Sequence, residues 1–188
     1  MSLTSLRDTK LINLVANGDP AAFRTLSERH INPLLALSAR LLGDRIEAGD
    51  MVQKCFLRVW RHAGRWKPTA AVGTWMHRIT YNLGIDRIRA RKPTVPIESF
   101  DPPSLDKPAD QRIQDQDNAR RVDLALAALP DRQRSTIVLV HYQELPARDA
   151  ANIMEISVEA LESRLSGGRR GLRAALLEEA TDLIGVNA

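Results

Sequence analysis

The sequence predicts an all-α protein built of two small helical domains. Three observations lead to this fold class. Apolar residues recur at steps of three and four, as they do between Val72 and Leu83, which places them on one face of a helix. Signals for a helix start, such as Asp19 followed by Pro20, precede such runs. An acidic, proline-rich stretch, residues 93–110, separates two sets of predicted helices.

The composition is that of a soluble protein. The 188 residues include no apolar run long enough to cross a bilayer, and no signal peptide is recognisable at the start. Cys55 is the single cysteine, so internal disulfides are ruled out and a reducing compartment is expected. We therefore expect one or two small domains in the cytoplasm, without insertion into a membrane.

Charge is distributed unevenly along the chain. The formal net charge is +4, but residues 1–92 hold 16 Lys and Arg against 7 Asp and Glu, whereas residues 93–188 hold 11 against 16. An anionic partner is therefore expected to meet the first half of the chain.

Two helices are predicted at the start of the chain. The first stops at Asn17-Gly18. Asp19 then caps a longer helix that has Pro20 in its first turn. Pro33 lies inside this second helix and is expected to kink it or split it in two, and Gly43 ends it.

A third helix is predicted from Arg45 to His62, with two different faces. The face expected to reach the core consists of Ala48, Val52, Cys55, Phe56 and Val59. The other face mixes polar and apolar side chains, which suits water or a protein partner, and consists of Asp50, Gln53, Lys54, Leu57 and Arg61. We interpret Cys55 as a small core residue, because no second cysteine or nearby histidine cluster supports a redox or metal role.

The stretch from Thr74 to Lys92 is predicted to be a helix with a core stripe and a polar face. The stripe is Val72, Met76, Ile79 and Leu83, and the polar face is Arg78, Asn82, Ile85 and Arg89. Guanidinium groups bind phosphates, and an asparagine amide both donates to and accepts from a base edge, so this face suits nucleic acid. The alternative is an amphipathic helix with a solvated basic face.

Aromatic residues flank the polar face. Trp75 lies between the two faces and Tyr81 borders the polar one, so either ring offers a stacking surface to an unpaired base. In the preceding loop, Arg65, Trp66 and Lys67 are suited to closing around a flat anionic group. Trp66 is equally suited to covering the core, and the sequence leaves both roles open.

Residues 93–110 form a predicted linker. They contain five of the ten prolines and four acidic residues against one lysine. A loop of this length is unusual inside one compact domain. The predicted organisation is therefore a first domain over residues 1–92, a linker over 93–111 and a second domain over 112–188.

The second domain is predicted to contain a helix-turn-helix. One helix stops at Pro130 and the next starts at Asp131. Pro146 at a first helical position opens a short helix, Ala147 to Met154, and Ser157 caps a longer one. Two helices about three residues apart are typical of a helix-turn-helix. The longer helix is expected to end in a basic group formed by Arg164, Arg169, Arg170 and Arg173.

Four blocks of residues carry a family resemblance. They are Asp50-Met51-Val52-Gln53 with Phe56-Leu57-Arg58-Val59-Trp60; Thr74-Trp75-Met76 to Asn82 with Ile85-Asp86-Arg87 and Arg89; Ala128-Leu129-Pro130 with Arg132 and Arg134; and Ser163-Arg164-Leu165-Ser166 with Arg169-Arg170. In this order and spacing they resemble sigma-70 factors of the small two-domain type, the extracytoplasmic function group. The similarity covers nearly the whole chain.

The resemblance implies that the first domain is of the sigma region 2 type. The face of Asp50, Gln53, Lys54, Leu57 and Arg61 is then expected to dock on the coiled coil of the largest RNA polymerase subunit. The residues expected to recognise and melt the minus-ten promoter element are Arg65, Trp66, Trp75, Arg78, Asn82, Asp86, Arg87 and Arg89. The loop before the helix is expected to hold a base flipped from the non-template strand.

The second domain is likewise expected to be of the sigma region 4 type, which binds the polymerase flap and reads the minus-thirty-five element in the major groove. The residues implied in reading are Ser157, Glu159, Ala160, Glu162, Ser163, Arg164, Arg169 and Arg170. The acidic linker would pass near the polymerase active site or RNA exit path. An anti-sigma factor covering the docking surfaces is a further expectation from the family.

The chain departs from the family pattern at several positions. Lys54 stands where an acidic residue is usual, and Glu155 stands in the helix-turn-helix turn where glycine is frequent. Glu162 replaces a common lysine, and Gly167-Gly168 is expected to interrupt the helix. Because the second domain has nearly balanced charge, we expect it to bind DNA weakly without polymerase.

No enzyme chemistry, metal site or cofactor is predicted. A phosphate-binding loop of glycines and lysine is missing, and the four histidines are scattered. Three functions remain: a promoter-specificity subunit of RNA polymerase, a stand-alone helix-turn-helix regulator, and a module that mimics a sigma factor to sequester a regulator.

Overall fold

The structure, a computed structural model, describes residues 3–90 and 119–184, with side chains as far as Leu177. All regular elements in these two ranges are helices, which confirms the predicted all-α class. The chain divides between Pro93 and Thr94 into two compact units. The predicted linker, residues 93–111, lies outside the described residues, so the proposed domain boundaries stay a prediction.

Four α-helices form the first unit: α1 (Asp8–Ala16), α2 (Pro20–Leu42), α3 (Arg45–His62) and α4 (Val72–Ala90). Local capping explains the boundary between α2 and its neighbours. The Asp19 carboxylate accepts hydrogen bonds from the backbone N–H groups of Ala21 and Ala22 at 2.9 and 3.1 Å. Gly43 ends α2 with a φ of 67°, and Asp44 caps α3.

Pro33 does not split α2, so that part of the sequence expectation is wrong. The helix runs without interruption from Pro20 to Leu42. Leu26 and Leu34, on either side of Pro33, are both buried in the same core. An internal proline costs about 3 kcal/mol of helix stability, and burial of apolar side chains on both halves offsets that cost.

The core of the first unit lies where all four helices meet. It is lined by Leu11, Ile12, Leu26, Leu34, Val52, Cys55, Val59 and Met76, among others. Val72 and Met76 of the predicted α4 stripe are buried, and Ile79 and Leu83 pack against the same cluster. The stripe and the core face of α3 are therefore confirmed.

Within residues 119–184, the second unit contains four further helices: α5, described over residues 119–127, α6 (Asp131–Ile137), α7 (Ala147–Met154) and α8 (Val158–Ile184). A π-helical turn, Val138–Tyr142, continues α6. Pro146 precedes α7 instead of occupying its first position, which corrects the prediction by one residue. A small core of Leu126, Leu129 and Ile137 packs against Leu165 and Leu172 of α8.

The long helix α8 corrects two expectations. It neither breaks at Gly167-Gly168 nor ends at its arginines, but continues to Ile184. The reason is packing against α6 and the turn that precedes it: a Cβ on Gly168 would lie 2.8 Å from Ile137 Cδ1, and one on Gly171 would lie 2.7 Å from Leu129 Cδ2. These glycines permit close approach, and the contact outweighs their low helix propensity.

Candidate nucleic-acid and protein interfaces

The outer face of α3 consists of the five residues predicted from the sequence. Asp50, Gln53, Lys54, Leu57 and Arg61 are all exposed, while α3 buries its apolar residues on the other side. Leu57 keeps 49% of its surface exposed among these charged and polar neighbours. The structure thus brings the predicted residues together on one surface, and their role as a docking face stays a prediction.

Trp60 extends this face, although the sequence analysis did not include it among the site residues. It is 38% exposed and follows Leu57 by one helical turn. Its ring packs edge-on against Phe23 of α2 with centroids 5.1 Å apart, and Phe23 packs in the same way against Phe56. The i, i+3 spacing from Leu57 is the signal that would have found it. Since Phe23 restricts the indole, Trp60 loses little freedom on contacting a partner.

The polar face of α4 is also formed as predicted. Arg78, Asn82, Asp86 and Arg89 are exposed, and Ile85 between them is half-buried. Successive members are three or four residues apart, so they share one side of the helix. This side presents two cations, an amide and the carboxylate of Asp86 along most of the length of α4.

Arg87, another predicted member, forms an ion pair with a residue of α3. Arg87 Nε and an Nη atom donate to the two carboxylate oxygens of Glu47 in α3, at 3.1 and 2.7 Å. This hydrogen bonding and the negative charge of Glu47 raise the pKa of Arg87. The pair joins the C-terminal end of α4 to the N-terminal end of α3, so a phosphate would have to share Arg87 with Glu47.

Both tryptophans next to the polar face lie against the core. Trp66 and Trp75 are half-buried and pack on the core cluster of the first unit. The indole N–H of Trp66 is buried and finds no hydrogen-bond acceptor within the described ranges. Arg65 is exposed beside it. The structure therefore supports the core-covering role of Trp66, and base contact by these rings stays a prediction.

The start of α4 is held by contacts that sequence reasoning missed. Asp8 accepts hydrogen bonds from Arg29 at 2.6 Å and from the ring of His30 at 2.7 Å. The same His30 ring lies against Gly73, where an added Cβ would come 3.2 Å from His30 Cε1. Burial raises the pKa of Asp8, but hydrogen bonds and charge from His30 and Arg29 lower it more, so the net shift is downward. No local pattern connects these residues, which come from three different helices.

Cys55 is confirmed as a core residue. It is completely buried, and its Sγ lies 3.7 Å from the backbone oxygen of Met76. Burial raises the pKa of the Cys55 thiol to about 11. A protonated, inaccessible thiol is a poor nucleophile and a poor metal ligand.

The helix-turn-helix is formed by α7 and α8 with residues 155–157 between them. Glu155 ends α7 in the left-handed region, with a φ of 56°, the conformation expected where family members carry glycine. The backbone N–H of Ile156 donates to the carbonyl of Ala151 at 3.1 Å, which closes the turn. The hydroxyl of Ser157 accepts from the backbone N–H of Ala160 at 3.2 Å and caps α8, as predicted.

The outer face of α8 changes in charge along its length. The exposed residues are Glu159, Glu162, Ser163, Ser166, Arg169 and Arg170, and Ala160 and Arg164 are half-buried. Arg169 donates to Nε2 of His141 at 3.2 Å. Burial, and then the charge of Arg169, lower the pKa of His141, which suits a neutral ring that accepts this hydrogen bond. The predicted residues thus lie together, acidic at the start of α8 and basic two turns later.

Metal binding receives no support from the parts of the chain that the structure describes. No group of three or more His, Cys, Asp or Glu residues in residues 3–90 and 119–184 is arranged to hold a metal ion. Within those same ranges, no helix is long and apolar enough to span a bilayer.

Two family models match the regions that carry these faces. The model described as Sigma-70 region 2 matches residues 26–94, and the one described as Sigma-70, region 4 matches residues 119–172. The chain belongs to the sigma-70 family. The first match contains the outer faces of α3 and α4, and the second contains the helix-turn-helix.

Relatives place this sigma factor in the extracytoplasmic function group. It is 32% identical over 171 residues to the ECF RNA polymerase sigma factor SigM of Mycobacterium tuberculosis, covering 90% of this chain and 84% of SigM. It is 29% identical over 179 residues to the ECF RNA polymerase sigma factor SigW of Bacillus subtilis, covering 89% of this chain and 95% of SigW. The family resemblance found in the sequence is confirmed.

Solved structures agree with this assignment. CnrH, in complex with the cytosolic domain of CnrY, matches 90% of this sigma factor with a TM-score of 0.68 at 28% identity, over 96% of CnrH. The sigma factor RpoE of Bartonella quintana, in complex with the anti-sigma factor NepR, shares the fold with a TM-score of 0.64 at 20% identity, covering 88% of this chain and 98% of RpoE.

Proposed function

We propose that this protein is the promoter-specificity subunit of an RNA polymerase, which binds core polymerase through α3 and opens promoter DNA with α4. The observation that carries the proposal is the arrangement of these two helices. Each buries one face in the same core, and each presents a second face of different chemistry. The face of α3 is mixed and partly apolar, whereas the face of α4 carries two arginines, an asparagine and an aspartate. One rigid unit thus offers a protein surface and a nucleic-acid surface together.

Strand opening on such a surface needs binding energy and no nucleotide hydrolysis. Flipping a base costs a few kcal/mol, and stacking on an aromatic ring returns about 1 to 3 kcal/mol per base. Phosphate contacts from Arg78, Arg87 and Arg89 add to this, and at Arg87 a phosphate would share the guanidinium with Glu47. The protein therefore acts by binding, and not as an enzyme.

The second unit supplies recognition of the upstream, minus-thirty-five element. Its helix-turn-helix presents α8 for the major groove. Residues 120–188 carry 9 basic and 10 acidic groups, so electrostatic attraction to DNA is weak. The unit is expected to bind usefully only when polymerase holds it at the promoter, through the flap.

Control by an anti-sigma factor in the cytoplasm completes the proposal. CnrH and RpoE were both solved with a partner protein bound. In this chain Leu57 and Trp60 are exposed apolar side chains on the proposed docking face. A protein that covers them would compete with polymerase for the same surface.

Run-off transcription with core polymerase on genomic DNA fragments tests the proposal. The double variant Asn82→Ala with Arg89→Ala is expected to bind core polymerase but to fail in opening DNA, measured by permanganate reactivity of unpaired thymines. Its matched control is Asn13→Ala with Arg24→Ala, which removes the same two residue types from exposed positions on α1 and α2. Equal promoter opening by the two double variants would contradict the role of the α4 face.

The docking face is tested by polymerase affinity. Leu57→Ala combined with Trp60→Ala is expected to weaken binding at least tenfold, as truncation of a central apolar contact does. Leu124→Ala is the control, because Leu124 is an apolar residue outside α3 that is 47% exposed. A wild-type protein that binds duplex DNA but not polymerase would favour a stand-alone regulator. One that binds an anti-sigma factor but neither polymerase nor DNA would favour the sequestering module.

A further inference from the structure

The two glutamates at the start of α8 lie in different environments. Glu159 is hydrogen-bonded by its own backbone N–H and by the Ser157 hydroxyl, and these bonds lower its pKa. This is a common use of an acidic residue in the first turn of a helix. Glu162, one turn later, is exposed and makes no hydrogen bond or ion pair with any residue that the structure describes. Helix capping therefore accounts for Glu159 but not for Glu162.

The position of Glu162 is that of a base-reading residue. In a helix-turn-helix, residues near the N-terminus of the second helix reach base edges, while other residues contact the sugar-phosphate backbone. Arg169 and Arg170 follow Glu162 by two turns, about 10 Å along the axis at 1.5 Å per residue. His141 accepts from Arg169 at 3.2 Å and so restricts its guanidinium. Because Arg169 and Arg170 are placed to contact phosphates, Glu162 and Ser163 are the side chains left to contact base edges in the major groove.

An ionised carboxylate only accepts hydrogen bonds, which limits what it can read. In the major groove, guanine offers two acceptors, and the N4 amino group of cytosine is the donor that Glu and Asp bind. We propose that Glu162 is a specificity-determining residue that accepts a hydrogen bond from the N4 amino group of a cytosine in the upstream promoter element. This inference rests on the proposed function as a polymerase specificity subunit.

The test uses the full chain assembled with core polymerase and a promoter that the wild type transcribes. The upstream element of this promoter is randomised, and the transcripts are sequenced to give base preferences at each position. Wild type is compared with Glu162→Gln, Glu162→Ala and the control Glu144→Gln. Glu144 is an exposed residue before α7, so its change removes the same charge from the same unit but not from α8.

Wild type is expected to prefer cytosine at one upstream position by about tenfold, a typical discrimination for one base contact. Because a glutamine amide pairs with adenine, Glu162→Gln should move the preference at that position alone to adenine. Glu162→Ala should abolish the preference there, and Glu144→Gln should keep it.

Identical base preferences in all four proteins would overturn the inference. This also holds if Glu162→Ala raises transcription equally from all promoter sequences, because that result would mean that Glu162 only repels phosphates. Failure of the wild type to start a transcript from any genomic fragment in the run-off experiment would instead overturn the proposed function, and the inference with it. The two failures are distinguished by the wild-type reaction alone.

Discussion

Gly168 of α8 lies directly against Ile137 of α6, so that a Cβ atom on Gly168 would come 2.8 Å from Ile137 Cδ1. The preceding residue, Gly167, meets only the side-chain amide of Gln133, at 3.1 Å. Two adjacent glycines of one helix therefore have different packing. The first can accept a side chain if Gln133 moves, whereas the second cannot without displacing the core of the second unit.

Gly168→Ala is expected to destabilise the second unit, and Gly167→Ala to stabilise it. Alanine gains up to about 1 kcal/mol of helix propensity at either position, but overpacking at Gly168 costs about 1 to 3 kcal/mol. Hydrogen exchange of the α6 and α8 amides measures both effects in the full chain. Because all three tryptophans lie in residues 1–92, their fluorescence is the control for an unchanged first unit. Equal protection in the two variants would contradict the packing argument.

Asp8→Asn is expected to destabilise the first unit by about 1 to 3 kcal/mol at neutral pH, because it removes a charged acceptor from Arg29 and His30. The pKa of Asp8 is lowered in the folded state, so its contribution is fully present above the unfolded value of 3.8. It is lost as pH falls through the folded-state pKa. Urea unfolding followed by tryptophan fluorescence should therefore show a difference from wild type that shrinks below about pH 4.

Glu28→Gln is the control for this measurement, since Glu28 is exposed on the same helix as Arg29 and His30. It should leave stability nearly unchanged at all pH values. A difference between wild type and Asp8→Asn that grows on acidification would contradict the assignment.

Glu155→Gly is expected to stabilise the second unit. A non-glycine residue in the left-handed region destabilises the folded state by about 1 to 2 kcal/mol, and glycine relieves this strain. The greater conformational entropy of glycine in the unfolded chain cancels roughly half of that gain. Hydrogen exchange of α7 should show a net gain of about 0.5 to 1 kcal/mol. Asn152→Gly, at an exposed position inside α7, should instead reduce protection, because its backbone is helical. Loss of stability in both variants would show that the side chain of Glu155 matters more than its backbone.

Cys55 is expected to resist thiol reagents in the folded protein. Its burial and its pKa of about 11 leave almost no accessible thiolate at pH 8. Labelling with iodoacetamide, followed by mass spectrometry, should proceed only as fast as the first unit opens. Ala70→Cys, on the exposed loop before α4, supplies a reactive control in the same chain. Rapid labelling of native Cys55 would contradict the core assignment.

The all-α class, most helix boundaries and the faces of α3 and α4 could be predicted from the amino-acid sequence. Asp19, Gly43 and Ser157 act on backbone groups within three or four residues, so their effects can be read locally. The apolar periodicity of α3 and α4 likewise assigns one face to a core without any knowledge of its partner. The family blocks were recognisable for the same reason, since each is a short run with fixed spacing.

Contacts between residues that are far apart in the sequence could be identified only from the tertiary structure. The continuity of α8 depends on Ile137 and Leu129 filling the space beside its glycines, and local propensity at Gly167-Gly168 pointed to a break instead. The pairing of Arg87 with Glu47, and of Asp8 with His30, joins residues of different helices that no spacing rule connects. These contacts arise from packing two amphipathic surfaces together, and their energies depend on distances that only the folded chain defines.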